Sequence, residues 1–296
     1  MKSFNFLVFI LLLVYSCTSK KKADLTNEKF CTELYTDSGQ AELNDMNGFN
    51  TERTKAVALH SSLWWHDIGF PIYLTVIFLN GDTFQINKVR RYAKEWEVAS
   101  AKGWNDRKPK IRLRFLPYDG TGGNDIRISF KPGGSASYVG SDAKRVPLSE
   151  PTMFLGWINN RESEESIRAV ILHEFGHAMG LVHEHQHPGS NILWDSLKVY
   201  KYYHDTQTPP WDEAKVNDNI FKKYSYETTN YTAYDIHSIM HYSFPSSLTK
   251  DGSSAPWNTL LSESDKSFIK TIYRYEQCVY NDNCCFDRRG RRVLCP

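Results

Sequence analysis

No cysteine lies between Cys31 and Cys278, so the long middle of the chain has no disulfide framework, and whatever folds there is held by a hydrophobic core. Neither sign of charge is in excess. Thirty-six Lys+Arg against 34 Asp+Glu leave a net charge of +2, which excludes the basic stripe that backbone-driven nucleic-acid binding needs. No internal repeat is present, which excludes a solenoid. The N-terminal apolar run from Phe4 to Tyr15 falls short of the roughly 20 residues of a membrane-spanning helix and has the length of a signal-peptide core. What remains is an ordinary globular composition, 41% hydrophobic and 24% charged over 296 residues, enough for one large domain or two small ones.

The apolar run ends in Val14-Tyr15-Ser16-Cys17, which resembles the lipobox of bacterial lipoproteins, with Cys17 as the residue that takes the lipid. Ordinary signal cleavage nearby is the alternative. The expectation is therefore a signal peptide over 1–17 and a polar tether from Thr18, on a precursor exported and lipid-anchored to the cell envelope. The polar stretch from Ser38 to Lys55 shows no periodicity and reads as a linker or pro-segment.

Regular structure is expected from about Leu63. Ile72 to Leu79 is a β-branched and aromatic run closed by Asn80-Gly81, a strand and its turn. Phe84 to Ala99 has helical spacing and predicts one helix over 84–100, followed by strands at Ile111–Leu116 and Asp125–Phe130. A second helix starts at Ser163, with Glu164 and Glu165 in its first turn, and ends at Gly180. Residues 186–236, rich in Tyr, Trp, Asn and Pro, predict an irregular second lobe, and 264–275 a last helix. The class is α+β.

The chemistry concentrates in His173-Glu174-Phe175-Gly176-His177-Ala178-Met179-Gly180-Leu181-Val182-His183-Glu184. His173 and His177, four apart, share one helix face and can bind one metal ion, with Zn²⁺ the obvious candidate. On a continuing helix His183 would lie about 9 Å further along the axis, far beyond a Zn–N bond of about 2 Å. Gly180 resolves this, because a residue without a side chain can adopt the positive φ that turns the chain back. Three imidazoles leave a fourth position for water, the pattern of a catalytic site. Glu174, beside a ligand but not needed as one, is placed to move that water's proton.

This segment resembles the zinc signature of the astacin family of metzincin endopeptidases, and Ser238-Ile239-Met240-His241-Tyr242 is similar to the family's Met-turn. The resemblance spans roughly 56–276 and implies a zincin-like fold. Its upper lobe is a twisted, mostly parallel sheet with two long helices, and its lower lobe is largely irregular with a C-terminal helix. It implies that Met240 packs beneath the metal, and that Tyr242 is a ligand at rest which swings away to stabilise the oxyanion. Ser135 to Gly140 is similar to the family's edge strand, so Ser137, Tyr138 and Val139 would pair with an extended protein or peptide substrate. Two departures stand out. His185-Gln186-His187-Pro188 follows where many relatives have Arg and Asp, and the core disulfides of animal members are absent. His185, His187, His237 and His241 are read as polar contacts.

The resemblance also implies latency. Maturation would expose a new N-terminus near Ala56, after Arg53-Thr54-Lys55, that folds in toward Glu184. Residues 18–55 would then be tether and pro-segment, and Cys31 within it a thiol able to occupy the metal's fourth position. Asp37 or Glu33 is a rival for that role, and a disulfide from Cys31 to the tail is the other alternative. In the tail, 277–296, Cys278, Cys284, Cys285 and Cys295 can form two bridges. The expected function is a zinc-dependent endopeptidase, monomeric and made as a latent precursor. The alternatives are an envelope binding or adhesion protein that keeps a zinc site without turnover, and a zinc amidase acting on cell-wall peptides.

Overall fold

The computed structural model describes residues 31–36, 58–59, 62–64, 71–101, 109–120, 123–224, 229–230, 233–273, 285–286 and 292–293. Cys17, the tether, Asp37, the stretch 38–55 with its cut site, and Cys278, Cys284 and Cys295 of the tail lie outside the described residues.

The strands in chain order are β1 (Thr32–Leu34), β2 (Ala58–Leu59), β3 (Ile72–Phe78), β4 (Ile111–Phe115), β5 (Ile126–Ser129), β6 (Ser135–Tyr138), β7 (Met153–Leu155), β8 (Thr229–Asn230), β9 (Cys285–Phe286) and β10 (Arg292–Val293). Six of them form a sheet in the order β1-β6-β7-β5-β3-β4. All its ladders are parallel except the one between β6 and β7. β2 and β8 pair separately, as do β9 and β10 in the tail. In β3, Ile72, Leu74 and Val76 are buried on the face where helices pack, while Tyr73 on the other is exposed.

The expected helix over 84–100 is two. α1 (Thr83–Tyr92) begins in a capping box between Asp82 and Gln85, and α2 (Lys94–Ala99) follows after Ala93. There the Trp96 N–H bonds Ala93 O, three residues back, so the turn tightens locally. α3 (Glu164–Ala178) starts at Ser163, whose side chain accepts from Ser166 N. Fully buried Trp96 donates from Nε1 to Leu172 O at 2.9 Å and ties α2 to α3 over the sheet core.

Two expectations need correction. The second lobe is less irregular than expected, because α4 (Ser196–Thr206) and the short α5 (Glu213–Val216) lie in it, each capped by an Asp, Asp195 and Asp212. The helical signal of α4 rests on Val199 and Tyr203, four apart and fully buried, hidden among tyrosines and lysines. Its core is aromatic, with Trp211 stacked on Tyr203 at 5.0 Å between centroids. The other correction is β1. Among the described residues regular structure is already present at Thr32, well before Leu63, and three residues pairing 104 positions downstream (Thr32 with Ala136) carry no local periodicity. The last helix, α6, spans Glu263–Ile272.

Candidate metal centre

α3 carries His173 and His177 on one face and then stops by a Schellman cap. Gly180 N–H bonds His177 O at 2.8 Å, Leu181 N–H bonds Gly176 O at 3.0 Å, and Gly180 takes a φ of +89°. The reversal brings His183 to the other two, as the spacing predicted. The Nε2 atoms of His173 and His183 each lie 3.2 Å from that of His177. The Cys31 Sγ is 3.0, 3.4 and 3.3 Å from the Nε2 atoms of His173, His177 and His183. All four donor atoms fall within 4.8 Å of one another.

The far side of each ring sets its tautomer. His173 Nδ1–H donates to Ile239 O at 2.8 Å, His177 Nδ1–H to Leu181 O at 2.9 Å, and His183 Nδ1 faces Glu33 Oε1 at 3.0 Å. With the protons on Nδ1, three Nε2 lone pairs converge on one point, which is unfavourable unless a cation sits among them. Burial holds His173 down at about 4, and His177 and His183 well below the ordinary imidazole value, so all three are neutral ligands at neutral pH. Three imidazoles and a thiol are a donor set that suits zinc.

Cys31 is a free, buried thiol, which removes the alternative of a bridge to the tail. Burial, then the Glu174 and Glu33 carboxylates, push it up; a cation among the imidazoles acts in the opposite direction. Glu33 is not part of the donor cluster. Its Oε1 accepts the His183 backbone N–H at 2.6 Å, and its Oε2 accepts from the Tyr35 hydroxyl at 2.8 Å and from the Tyr224 hydroxyl. Thr36 adds two bonds to buried Asp142. β1 therefore lies along β6 with the register Thr32 to Ala136, Glu33 to Ser137 and Leu34 to Tyr138, and Val139 N–H bonds Leu34 O. The edge expected to receive substrate is covered by the chain's own residues 32–34.

Glu174 is 1% exposed, and burial raises its carboxyl well above the usual range; Oε2 has no hydrogen-bond partner among the described residues. Tyr242, expected as a resting ligand, donates its hydroxyl instead to Cys31 O, with its ring 4.3 Å from that of His183. Met240 is buried beneath the ligands against Gly176, where a Cβ would overlap the methionine sulfur. Glu184 Oε1 accepts from Asp235 N at 2.9 Å, and burial raises its carboxyl to about 8. Among the other histidines, His185 bonds Asn219 O, His187 accepts from Gly189 N, and His241 bonds Tyr242 O and the Tyr234 hydroxyl.

Three residues at the site escape the sequence reading. Gly176 leaves room for Met240. Tyr224 holds Glu33. Asp265 accepts from Ser238 Oγ at 2.7 Å and Ile239 N at 2.9 Å, so it braces the turn whose carbonyl orients His173. Asp265 had a visible signal, since Ser262 three residues earlier makes a capping box with it.

The comparisons agree with this geometry. The family model for astacin, a peptidase family, matches residues 87–283. A solved structure described as "Structure of myroilysin" is 40% identical, with a TM-score of 0.65, over 73% of this chain and 98% of that one. A second, "Crystal structure of myroilysin", is 36% identical with a TM-score of 0.57, over 84% of this chain and 92% of that one. No curated protein sequence matches. With a mixed α+β fold of the same kind and a histidine cluster fit for zinc, the chain belongs to the astacin family of peptidases and is a zinc metalloendopeptidase.

Proposed function

We propose that the protein is made as a latent endopeptidase in which Cys31 holds the fourth position of a zinc site formed by His173, His177 and His183. The observation that carries this reading is the Cys31 sulfur, within 3.4 Å of all three Nε2 atoms, on a strand that also covers β6. Bound there, zinc supplies Lewis acidity that polarises the scissile carbonyl and acidifies the attacking water. Glu174 takes the proton from that water and returns it to the leaving amine; the burial that raises its carboxyl suits both transfers. With residues 31–36 withdrawn, the Tyr242 hydroxyl loses the Cys31 carbonyl and donates to the oxyanion instead. The backbone of β6 then loses its partner and pairs with an extended protein substrate instead.

On this reading, cleavage after Lys55 leaves residues 56–276 as a monomeric catalytic unit with the stapled tail 277–296. It also separates the enzyme from a lipid at Cys17, so activation and release from the envelope are one event. The test is purified Cys31→Ser beside the unaltered chain. The variant is expected to digest casein before any activation, in a chelator-sensitive way, while Cys31→Ser combined with Glu174→Ala is inert. Equal latency of Cys31→Ser and the unaltered chain would overturn the role of the thiol, and full activity in the Glu174→Ala variant would overturn that of the carboxylate.

A further inference from the structure

We infer that His185 is a positioning residue for Tyr242: its ring face holds the phenol in the plane from which the hydroxyl reaches the oxyanion. The inference rests on the role given to Tyr242 above. His185 is 1% exposed and lies two residues past His183, yet it takes no part in the donor cluster. Its Nε2–H donates to Asn219 O at 2.8 Å. Asn219 sits in a single π turn, Asn217–Phe221, that continues α5. Lys222 N–H closes this turn on Asn217 O at 2.8 Å, and the carbonyls after it need partners from outside the helix. His185 serves Asn219 O, and Gln186 Nε2–H serves Asp218 O at 2.8 Å. Two neighbouring side chains thus fasten residues 185–186 to the second lobe.

The other ring nitrogen makes no such bond. His185 Nδ1 is buried and has no hydrogen-bond partner among the described residues, so what the ring offers the site is its face. That face is stacked on Tyr242, with 4.3 Å between centroids and 24° between planes. The His183 ring is as close but inclined by 59°, so it touches the phenol without setting its plane. His241 Nδ1–H holds the Tyr242 backbone, donating to Tyr242 O at 2.6 Å. A stacked contact resists tilting of the ring and hardly resists sliding in its own plane. The Tyr242 hydroxyl donates to Cys31 O while residues 31–36 are in place. When they withdraw, it moves to the oxyanion without leaving the His185 face. This matters because a donor lowers the barrier most when it is already aimed at the place where charge develops.

The experiment is a double-mutant cycle on the full-length protein, activated by limited trypsin digestion and assayed, once trypsin is inhibited, on a casein peptide that the unaltered enzyme cleaves. Tyr242→Phe removes the donor and is expected to lower kcat about a hundredfold. His185→Ala is expected to lower kcat about tenfold with KM within about twofold, because the misaimed hydroxyl acts in the transition state. In the Tyr242→Phe background the same substitution is expected to cost nothing more. His185→Phe restores a ring face without the bond to Asn219 and is expected to recover most of kcat. His185→Gln keeps a donor without the ring and is expected to match His185→Ala; if the alanine variant does not fold, these two decide. Bound zinc, measured by atomic absorption, is expected to be equal in all variants. Unaltered kcat in His185→Ala, the same loss in both backgrounds, recovery by Gln rather than Phe, or a loss of zinc that matches the loss of kcat overturns the positioning role alone. Unaltered kcat in Tyr242→Phe overturns the role of the tyrosine, and the absence of chelator-sensitive casein digestion by the unaltered chain overturns the protease reading; either result takes the inference with it.

Discussion

Gly176 shows how much a single missing side chain decides. It lies three positions after His173 and immediately before His177 on α3, and the Met240 sulfur occupies the space a Cβ would fill, with Trp96 also close. A methyl group there pushes Met240 away from beneath the ligands, and overpacking of this kind costs about 1–3 kcal/mol. Gly176→Ala is expected to lower the melting temperature and to weaken zinc binding by roughly tenfold, since the support of a ligand set tunes its affinity. Thermal denaturation and a competitive zinc titration measure the two effects; native-like zinc affinity in the variant would show that Met240 does not support the site. Gly180 is different in kind. Its positive φ is a backbone requirement, and the residue follows from the sequence because a histidine six positions past His177 can reach the same ion only after a reversal.

At the scale of elements, α6 reaches the metal site without touching it. Asp265 closes the capping box with Ser262, and the same carboxylate accepts from Ser238 Oγ and Ile239 N in the turn between β8 and α6. Ile239 O in turn fixes His173 Nδ1. Asp265→Ala leaves buried donors unpaired, and the expected loss is about 3 kcal/mol of stability. The turn is also released, so zinc is expected to bind about tenfold more weakly. A cobalt-substituted sample should show altered ligand-field bands, which a purely global destabilisation would leave unchanged. Helix α3 was legible from its Ser163 cap and apolar spacing, and the helical character of α1 from its spacing, because both are local properties. The break at Ala93 was not, since Ala, Lys and Glu around it all favour helix and only the local three-residue bond divides it.

At the scale of the whole molecule, residues 31–36 bind both lobes. β6 and Asp142 hold them from above; Tyr224 and Tyr242 hold them from the other side of the cleft. Glu33 is central to this hold, because it satisfies the His183 N–H and the Tyr35 and Tyr224 hydroxyls together. Glu33→Ala leaves these groups unpaired in the closed form, where water is excluded. A loss of about 2 kcal/mol corresponds to roughly a thirtyfold larger open fraction. The variant is expected to show that increase as basal chelator-sensitive activity with Cys31 intact. If basal activity stays at the level of the unaltered chain, the thiol alone holds the segment.

Met240 as the support of the site came from the family resemblance; the sequence by itself determined the three histidines, Glu174 and the reversal at Gly180. Their spacing is short enough for helix geometry and one positive φ to place them. It also determined an α+β class, because strand and helix periods are written within each segment. Only the tertiary structure decided that Cys31 rather than Glu33 meets the three Nε2 atoms, although Cys31 is 142 residues from His173. It also decided that Tyr242 turns to the Cys31 carbonyl, that β1 covers the substrate edge, and that Asp265 braces the turn under His173. Alternation in a strand of three residues is no signal, and neighbouring residues such as Cys31 and Glu33 differ in role only through which partner the register puts opposite each. That register is set by contacts more than 100 positions away, Thr32 on Ala136 and Thr36 on Asp142, which no local pattern carries.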